Sequence, residues 1–270
     1  MASVGSVKTQ RRPMDATPYL KRIGFAAEAP ATAETLDALQ RAHLFSVPFE
    51  NLDIPRGIPI RLDLDLLYEK VVVRRRGGFC YELNGLFAWL LGELGFAVTL
   101  LSARVARQDG TFGPEFDHLA LMVLAPGGDQ PGPWLVDVGF GEGFLEPLPL
   151  RPLGERGAGR QRYRLVPDGP AFIMQQVEAG ESWRDRYRFT LAPRRLLDFA
   201  AMCRYHQSSP DSSFTRGRLC TLATPNGRLT LSEEAFIVTE DGRRQEQPIT
   251  SAEYEDLLAR HFGITLAWPI

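Results

Sequence analysis

Apolar residues recur at three- and four-residue intervals through the first third of the chain and then give way to short apolar runs broken by turn residues. Thr35, Leu36, Leu39, Ala42 and His43 fall on one stripe of an amphipathic helix. Asp63 is placed to cap a second helix carrying Leu66, Leu67, Lys70 and Val71. A third is expected just after Gly77-Gly78, with Cys80 as its first residue. It carries Tyr81, Leu83, Leu86, Phe87, Leu90, Leu91 and Leu94 and stops at Gly95. Residues 97–105, 118–124 and 134–138 then read as strands, and 162–166 and 187–191 extend this region. In the last third a helix over 195–205 precedes short strands near 218–222, 228–231 and 235–238. Thr250-Ser-Ala-Glu253 is a capping box before a helix ending near Gly263.

The pattern predicts an α+β chain in three parts. Residues 1–18 read as a disordered leader, 19–96 as helical, 97–193 as β and 194–270 as mixed α/β. Composition narrows the picture. With 270 residues, 44% hydrophobic, the chain can bury a core without a disulfide or metal staple. A net charge of −2 argues against a dedicated nucleic-acid or anionic-membrane binder. The longest apolar stretch, 83–101, is broken by Asn84, Gly85, Gly92, Glu93 and Gly95, which disqualifies it as a membrane span. Three cysteines, an odd number, and an N-terminus without a signal-peptide core predict a reducing, cytoplasmic setting. The loop 125–133 lacks the Lys-Ser/Thr ending of a phosphate loop.

The segment Arg74-Arg-Arg-Gly-Gly-Phe-Cys80 carries the strongest chemical signal. A thiol at a helix N-terminus feels the positive end of the helix dipole, and three arginines lie close in sequence. Both favour the thiolate, which is the nucleophile. Against this stands the inert small residue that most cysteines are. A nucleophilic cysteine needs a base, and the base needs an orienting group. His43 and His261 lie near helix ends, and His206 lies in a polar stretch where it could bind a ligand. His118 instead opens an apolar strand directly after Asp117. Asp137 sits inside the apolar run Trp134-Leu-Val-Asp-Val138, where a carboxylate must find a partner. Cys80, His118 and Asp137 thus form one candidate triad. Cys203 and Cys220 read as structural, and the spacing of Cys and His residues predicts no metal site.

At these residues the chain resembles the arylamine N-acetyltransferases. The matching blocks are Val47-Pro-Phe-Glu-Asn-Leu52, Arg76-Gly-Gly-Phe-Cys-Tyr-Glu-Leu-Asn-Gly85 and Val136-Asp-Val-Gly-Phe-Gly141, with Tyr19-Leu-Lys-Arg-Ile-Gly24 and Ser208-Ser-Pro-Asp-Ser-Ser-Phe214 as further likenesses. The resemblance implies a helical domain, a β-barrel domain and a C-terminal α/β lid around a cysteine-protease-like Cys-His-Asp core. It implies Cys80, His118 and Asp137 as catalytic residues, acetyl-CoA as donor, and an arylamine, arylhydrazine or arylhydroxylamine as acceptor. By the same resemblance Phe49, Phe140 and Phe214 line the acceptor slot, and Ser208 and Ser213 contact coenzyme A or substrate. Without it, the three aromatics would pass as core. Glu50 and Arg76 belong to matching blocks and predict a partly buried ion pair. Three alternatives stay open: an amide synthase fed by a carrier-bound acyl group, a Cys-His-Asp hydrolase, and a non-catalytic acyl-CoA or aromatic-ligand binder.

Overall fold

The computed structural model describes residues 14–26, 30–127, 132–151, 155–157 and 161–266. Helix α1 (Ala16–Arg22) opens at Asp15, whose carboxylate accepts the Thr17 N–H. The folded chain therefore starts earlier than the expected boundary at residue 18, and positions 1–13 of the expected leader lie outside the described residues. Helix α2 (Ala33–Ser46) buries Thr35, Leu36, Leu39, Gln40 and His43. The stripe is the one its spacing predicts. Asp63 caps α3 (Leu64–Tyr68) by accepting the Asp65 and Leu66 N–H groups, and a π-helical turn over Glu69–Val73 continues it.

Helix α4 (Cys80–Glu93) starts at the expected residue, and Gly95 beyond its end takes the left-handed φ of 86° that turns the chain into the sheet. Eleven of its fourteen residues are buried. Such a helix is wrapped by the rest of the molecule, so its N-terminus is fixed in space.

Seven antiparallel strands follow: β2 (Ala97–Val105), β3 (His118–Ala125), β4 (Gly132–Val136), β5 (Leu148–Pro149), β6 (Gln161–Asp168), β7 (Ala171–Glu178) and β8 (Arg184–Arg194). Their spatial order is β5-β4-β3-β2-β8-β7-β6. The two edge strands, β5 and β6, come into contact, so the sheet nearly closes into a barrel. Strand β4 ends at Val136, which leaves Asp137 just past the strand rather than inside it.

The last third brings helix α5 (Ala200–Ser208), entered through a short 3-10 turn, and strands β9 (Leu219–Thr224), β10 (Gly227–Ser232), β11 (Ala235–Glu240) and β12 (Arg243–Pro248). Helix α6 (Ser251–Phe262) closes it, with the Glu253 carboxylate accepting the Thr250 N–H and hydroxyl. The short strand β1 (Phe49–Glu50) joins this second sheet, Phe49 opposite Thr221 and Glu50 opposite Cys220. The N-terminal and C-terminal thirds therefore share one sheet, across the boundaries drawn from the sequence. No helix of the described residues is long and apolar enough to cross a membrane.

Candidate active site

Cys80 is the first residue of α4, and the chain reaches it through two glycines that no other residue could replace without movement. A Cβ on Gly77 would fall 1.9 Å from the Pro48 carbonyl oxygen. The Glu82 carboxylate reaches back to accept the Phe79 N–H at 3.1 Å, which satisfies one of the free donors of the helix start. Across from it, Gly139 lies so close that a Cβ there would sit 2.7 Å from the Cys80 Cα. The nucleophile candidate is thus pinned between the helix entry and the loop that follows β4.

His118 opens β3, and its Nε2 lies 2.7 Å from Asp137 Oδ2; both side chains are buried. With Nε2–H donating to the carboxylate, Nδ1 is the ring nitrogen left to take a proton. Asp137 is held in turn. Its Oδ1 accepts from Asn84 Nδ2 at 2.8 Å and from the Gly139 N–H at 2.9 Å. Its own N–H donates to Gln40 Oε1 at 3.3 Å.

Cys80 and His118 line one cavity of about 340 Å³, shared with Phe49, Phe140, Ser213 and Phe214. The Leu119 backbone N–H favours the ionised form of the Cys80 thiol. The Phe140 ring meets His118 edge-on at 5.1 Å, and Phe214 packs against Phe49 at 6.2 Å and Phe79 at 5.5 Å. Of the eight residues singled out from the sequence, six line this cavity. Asp137 stands behind His118. Ser208 lies elsewhere: it is exposed at the end of α5, and its hydroxyl donates to the Arg204 carbonyl.

One expectation is corrected. Burial pushes the Cys80 thiol well up, with only the Leu119 N–H pulling it down. The three arginines do not face it. Arg76 is committed to Glu50 and Asp53, Arg74 pairs with Glu69 at the surface, and Arg75 is exposed. A buried thiol of this kind calls for a neighbouring base to take its proton.

The Arg76–Glu50 pair is present and larger than expected. Arg76 donates to Glu50 Oε1 from Nε at 3.0 Å and from Nη2 at 2.8 Å, and Nη2 also reaches Asp53. Lys70 ties Asp53 and Glu82 together, 2.8 Å from each.

Two sets of residues escaped sequence reading. Asn84 is one: a buried amide on a mostly apolar helix, four residues after Cys80 and so on the same face. That placement was a readable signal. The other is a second His–Asp pair lining the same cavity, His206 Nε2 standing 3.2 Å from Asp117 Oδ1. Its members are 89 positions apart and no local spacing could join them.

A family model described as N-acetyltransferase matches residues 32–269. The chain is 37% identical to an arylamine N-acetyltransferase of Mycolicibacterium smegmatis, over 94% of this chain and 93% of that protein. The chain belongs to the arylamine N-acetyltransferase family. Members of that family are acyltransferases. The fold agrees: the structure of a Mycobacterium marinum arylamine N-acetyltransferase in complex with CoA superposes with a TM-score of 0.84 at 33% identity, covering 93% of each chain. The chain is also 34% identical to a proansamycin X synthase of Amycolatopsis mediterranei, over 91% of this chain and 96% of that protein. As a family member, this chain keeps a mixed helix-and-sheet architecture with the nearly closed barrel that its solved relatives have.

Proposed function

We propose that this chain transfers an acetyl group from acetyl-CoA to the nitrogen of an arylamine or arylhydrazine, or to the oxygen of an arylhydroxylamine, in two half-reactions through an acetyl-Cys80 intermediate. One observation carries the reading. A buried thiol and an imidazole line the same cavity, and a carboxylate 2.7 Å behind the imidazole fixes its tautomer.

In the first half-reaction His118 Nδ1 takes the Cys80 proton, and Asp137 supports the imidazolium. The thiolate attacks the thioester carbonyl of acetyl-CoA. The carbonyl electrons collapse back as the CoA sulfur leaves, taking the proton from His118. One thioester replaces another, so the step is close to isoenergetic and runs without a stronger nucleophile than sulfur. The Cys80 N–H, at the first position of α4, is placed to stabilise the oxyanion. In the second half the amine attacks acetyl-Cys80, His118 takes the excess proton from nitrogen, and the thiolate leaves. Phe49, Phe140 and Phe214 supply an apolar slot for the aromatic ring, and Ser213 a polar contact for donor or acceptor.

The likeness to a proansamycin X synthase favours one second reading, an amide synthase with a carrier-bound acyl donor. A cavity of about 340 Å³ supports the small-acceptor reading instead, because it is near the lower end of ligand-site volumes. Intact-protein mass spectrometry after mixing with acetyl-CoA tests the choice, with Cys80→Ala alongside. The expected result is a gain of one acetyl group in the wild type only, discharged on adding an aniline. No adduct would point to another donor, and discharge by water as fast as by amine would point to a hydrolase.

A further inference from the structure

His118 is the first residue of β3, so the strand ladder, with Ala103 opposite it, fixes its backbone on one side only. A corner fixes the other side. Phe116 has a left-handed φ of 66°, which a bulky side chain rarely adopts and which persists only where the surroundings hold it. Arg75 and Asp241, the other non-glycine residues with such a φ among the described residues, are exposed. Phe116 is half-buried and two residues before the imidazole.

Two hydroxyls hold the corner. Ser102 Oγ accepts the Phe116 N–H at 2.8 Å. The Tyr81 hydroxyl donates to the Phe116 carbonyl at 2.7 Å and lies 3.1 Å from the Asp117 carbonyl oxygen. Tyr81 is fully buried, and its ring meets Phe79 at 5.0 Å and Phe199 at 5.7 Å, so the hydroxyl is fixed in place. It belongs to the residue directly after Cys80. Three residues further along the same helix, Asn84 donates to the Leu119 carbonyl. Helix α4 thus carries the nucleophile candidate and grips the chain both before and after His118. The corner has a visible consequence. Successive side chains of an extended strand point to opposite faces, yet Asp117 and His118 line one cavity.

We infer that Tyr81 is a positioning residue: its hydroxyl holds the left-handed corner at Phe116 and so keeps the His118 imidazole in register with the Cys80 thiol. The assignment rests on the reading of Cys80 as nucleophile and His118 as its base. Without the hydroxyl the corner loses its bond on the carbonyl side. Phe116 then relaxes toward an ordinary backbone, and the start of β3 swings the imidazole out of line with the sulfur.

The test is Tyr81→Phe, which removes the hydroxyl and keeps the ring. Alkylation of Cys80 by iodoacetamide, followed by peptide mass, reads the thiol with neither donor nor acceptor present. At pH 7 the rate depends on a base that takes the proton, whereas at pH 10 hydroxide can do so. The ratio of the two rates, pH 7 over pH 10, should fall about ten-fold in Tyr81→Phe, within the ~10²-fold that a 1 Å misplacement costs. Acetylation of Cys80 by acetyl-CoA at pH 7 should slow by a like factor. The other ionisable groups around the pair are Asp137, Tyr187, Cys203, the Asp117–His206 pair, and Arg186 and Glu142 of the cavity wall. All of them stay in both proteins. Ser102→Ala loosens the same corner from β2 and should lower the ratio in the same direction. A ratio unchanged in either variant, whatever the melting temperature does, overturns the assignment, because the hydroxyl then only satisfies buried carbonyls. His118→Ala separates the two levels. If it leaves the ratio at the wild-type value, His118 is not the base and both readings fall. If it lowers the ratio while Tyr81→Phe does not, the Tyr81 assignment falls alone.

Discussion

Asn84 Nδ2 lies 2.8 Å from Asp137 Oδ1, and the same amide nitrogen donates to the Leu119 carbonyl at 2.6 Å while Asn84 Oδ1 accepts the Val138 N–H at 2.9 Å. One fully buried side chain on the helix of Cys80 thus fastens the residue after His118 and the two residues that follow the end of β4. Both of its donors and one of its acceptor lone pairs are used. Asn84→Ala takes one bond from each of two buried acceptors and from a buried donor, a loss of roughly 2–4 kcal/mol. The melting temperature should fall by roughly 5–15 °C. The rate of Cys80 acetylation per folded molecule should fall at least about ten-fold, since Asp137 loses its tether. Calorimetry with stopped-flow mass analysis checks both, and a stable variant acetylated at the wild-type rate would show that Gln40 and Gly139 suffice to hold Asp137.

Asp137→Asn keeps the shape of the site and removes the charge. An amide can present its NH2 to His118 Nε2, which then favours the wrong imidazole tautomer and turns a proton donor toward the sulfur. Turnover should drop about 10³- to 10⁴-fold with little change in acceptor KM. Steady-state kinetics over pH 6–9 reads it, and a loss below ten-fold would mean that the carboxylate only packs.

Much of this arrangement was legible in the sequence, and for physical reasons. Helix α4 announces itself by a glycine pair before it, an apolar run within it and Gly95 after it. Strand β3 is a continuous apolar run because both of its faces are covered along most of its length. The strands that went unread are those whose surroundings differ. Strand β12, Arg-Arg-Gln-Glu-Gln-Pro, is exposed along its whole length and has no apolar alternation to read. Strand β7 has buried residues only at Ala171, Met174 and Val177, a spacing of three that does not match a strand's period of two. Strand β1 is two residues long and exists through its pairing with β9, contacts across 172 positions for Phe49–Thr221 and 170 for Glu50–Cys220. Cys80, His118 and Asp137 were readable because each broke its local pattern. The Tyr81–Phe116 bond and the His206–Asp117 pair were not, since a polar side chain raises no local conflict until the fold shows what it faces.

Arg76 is the centre of the buried ionic cluster, and its removal should test folding more than chemistry. Burial pushes the Asp53 carboxyl up, but Lys70 and Arg76 outweigh it and hold it below its ordinary value. Arg76→Ala strips Glu50 Oε1 of two bonds and leaves Lys70, 3.8 Å from Glu50, and Arg56, 3.6 Å from Asp53, to serve three acids. Breaking a buried pair from one side costs about 3–5 kcal/mol. The melting temperature should fall clearly, while turnover per folded molecule at 15 °C stays within about three-fold of wild type. An unchanged melting temperature would sink this reading. Because a lowered carboxylate stabilises the fold above its unfolded pKa, the wild-type advantage over Arg76→Ala should shrink as pH falls below about 4.

Glu82 should give the opposite pH dependence. Burial lifts its carboxyl to about 7, and the pull of Lys70 and the Phe79 N–H does not bring it back. In the unfolded chain a glutamate titrates near ~4.3. The folded chain therefore holds the proton more tightly, so this group's contribution is complete below about pH 4 and is lost as pH rises toward 7. Gln in its place still accepts the Phe79 N–H but cannot titrate. The stability difference between wild type and Glu82→Gln, measured by urea unfolding, should therefore move in the variant's favour by about 2–3 kcal/mol between pH 5 and pH 8. If Lys70 instead keeps Glu82 ionised throughout, the difference will stay flat over that window. Since Glu82 caps the turn that presents Cys80, the acetylation rate followed across the same pH range shows whether ionising it also shifts the thiol.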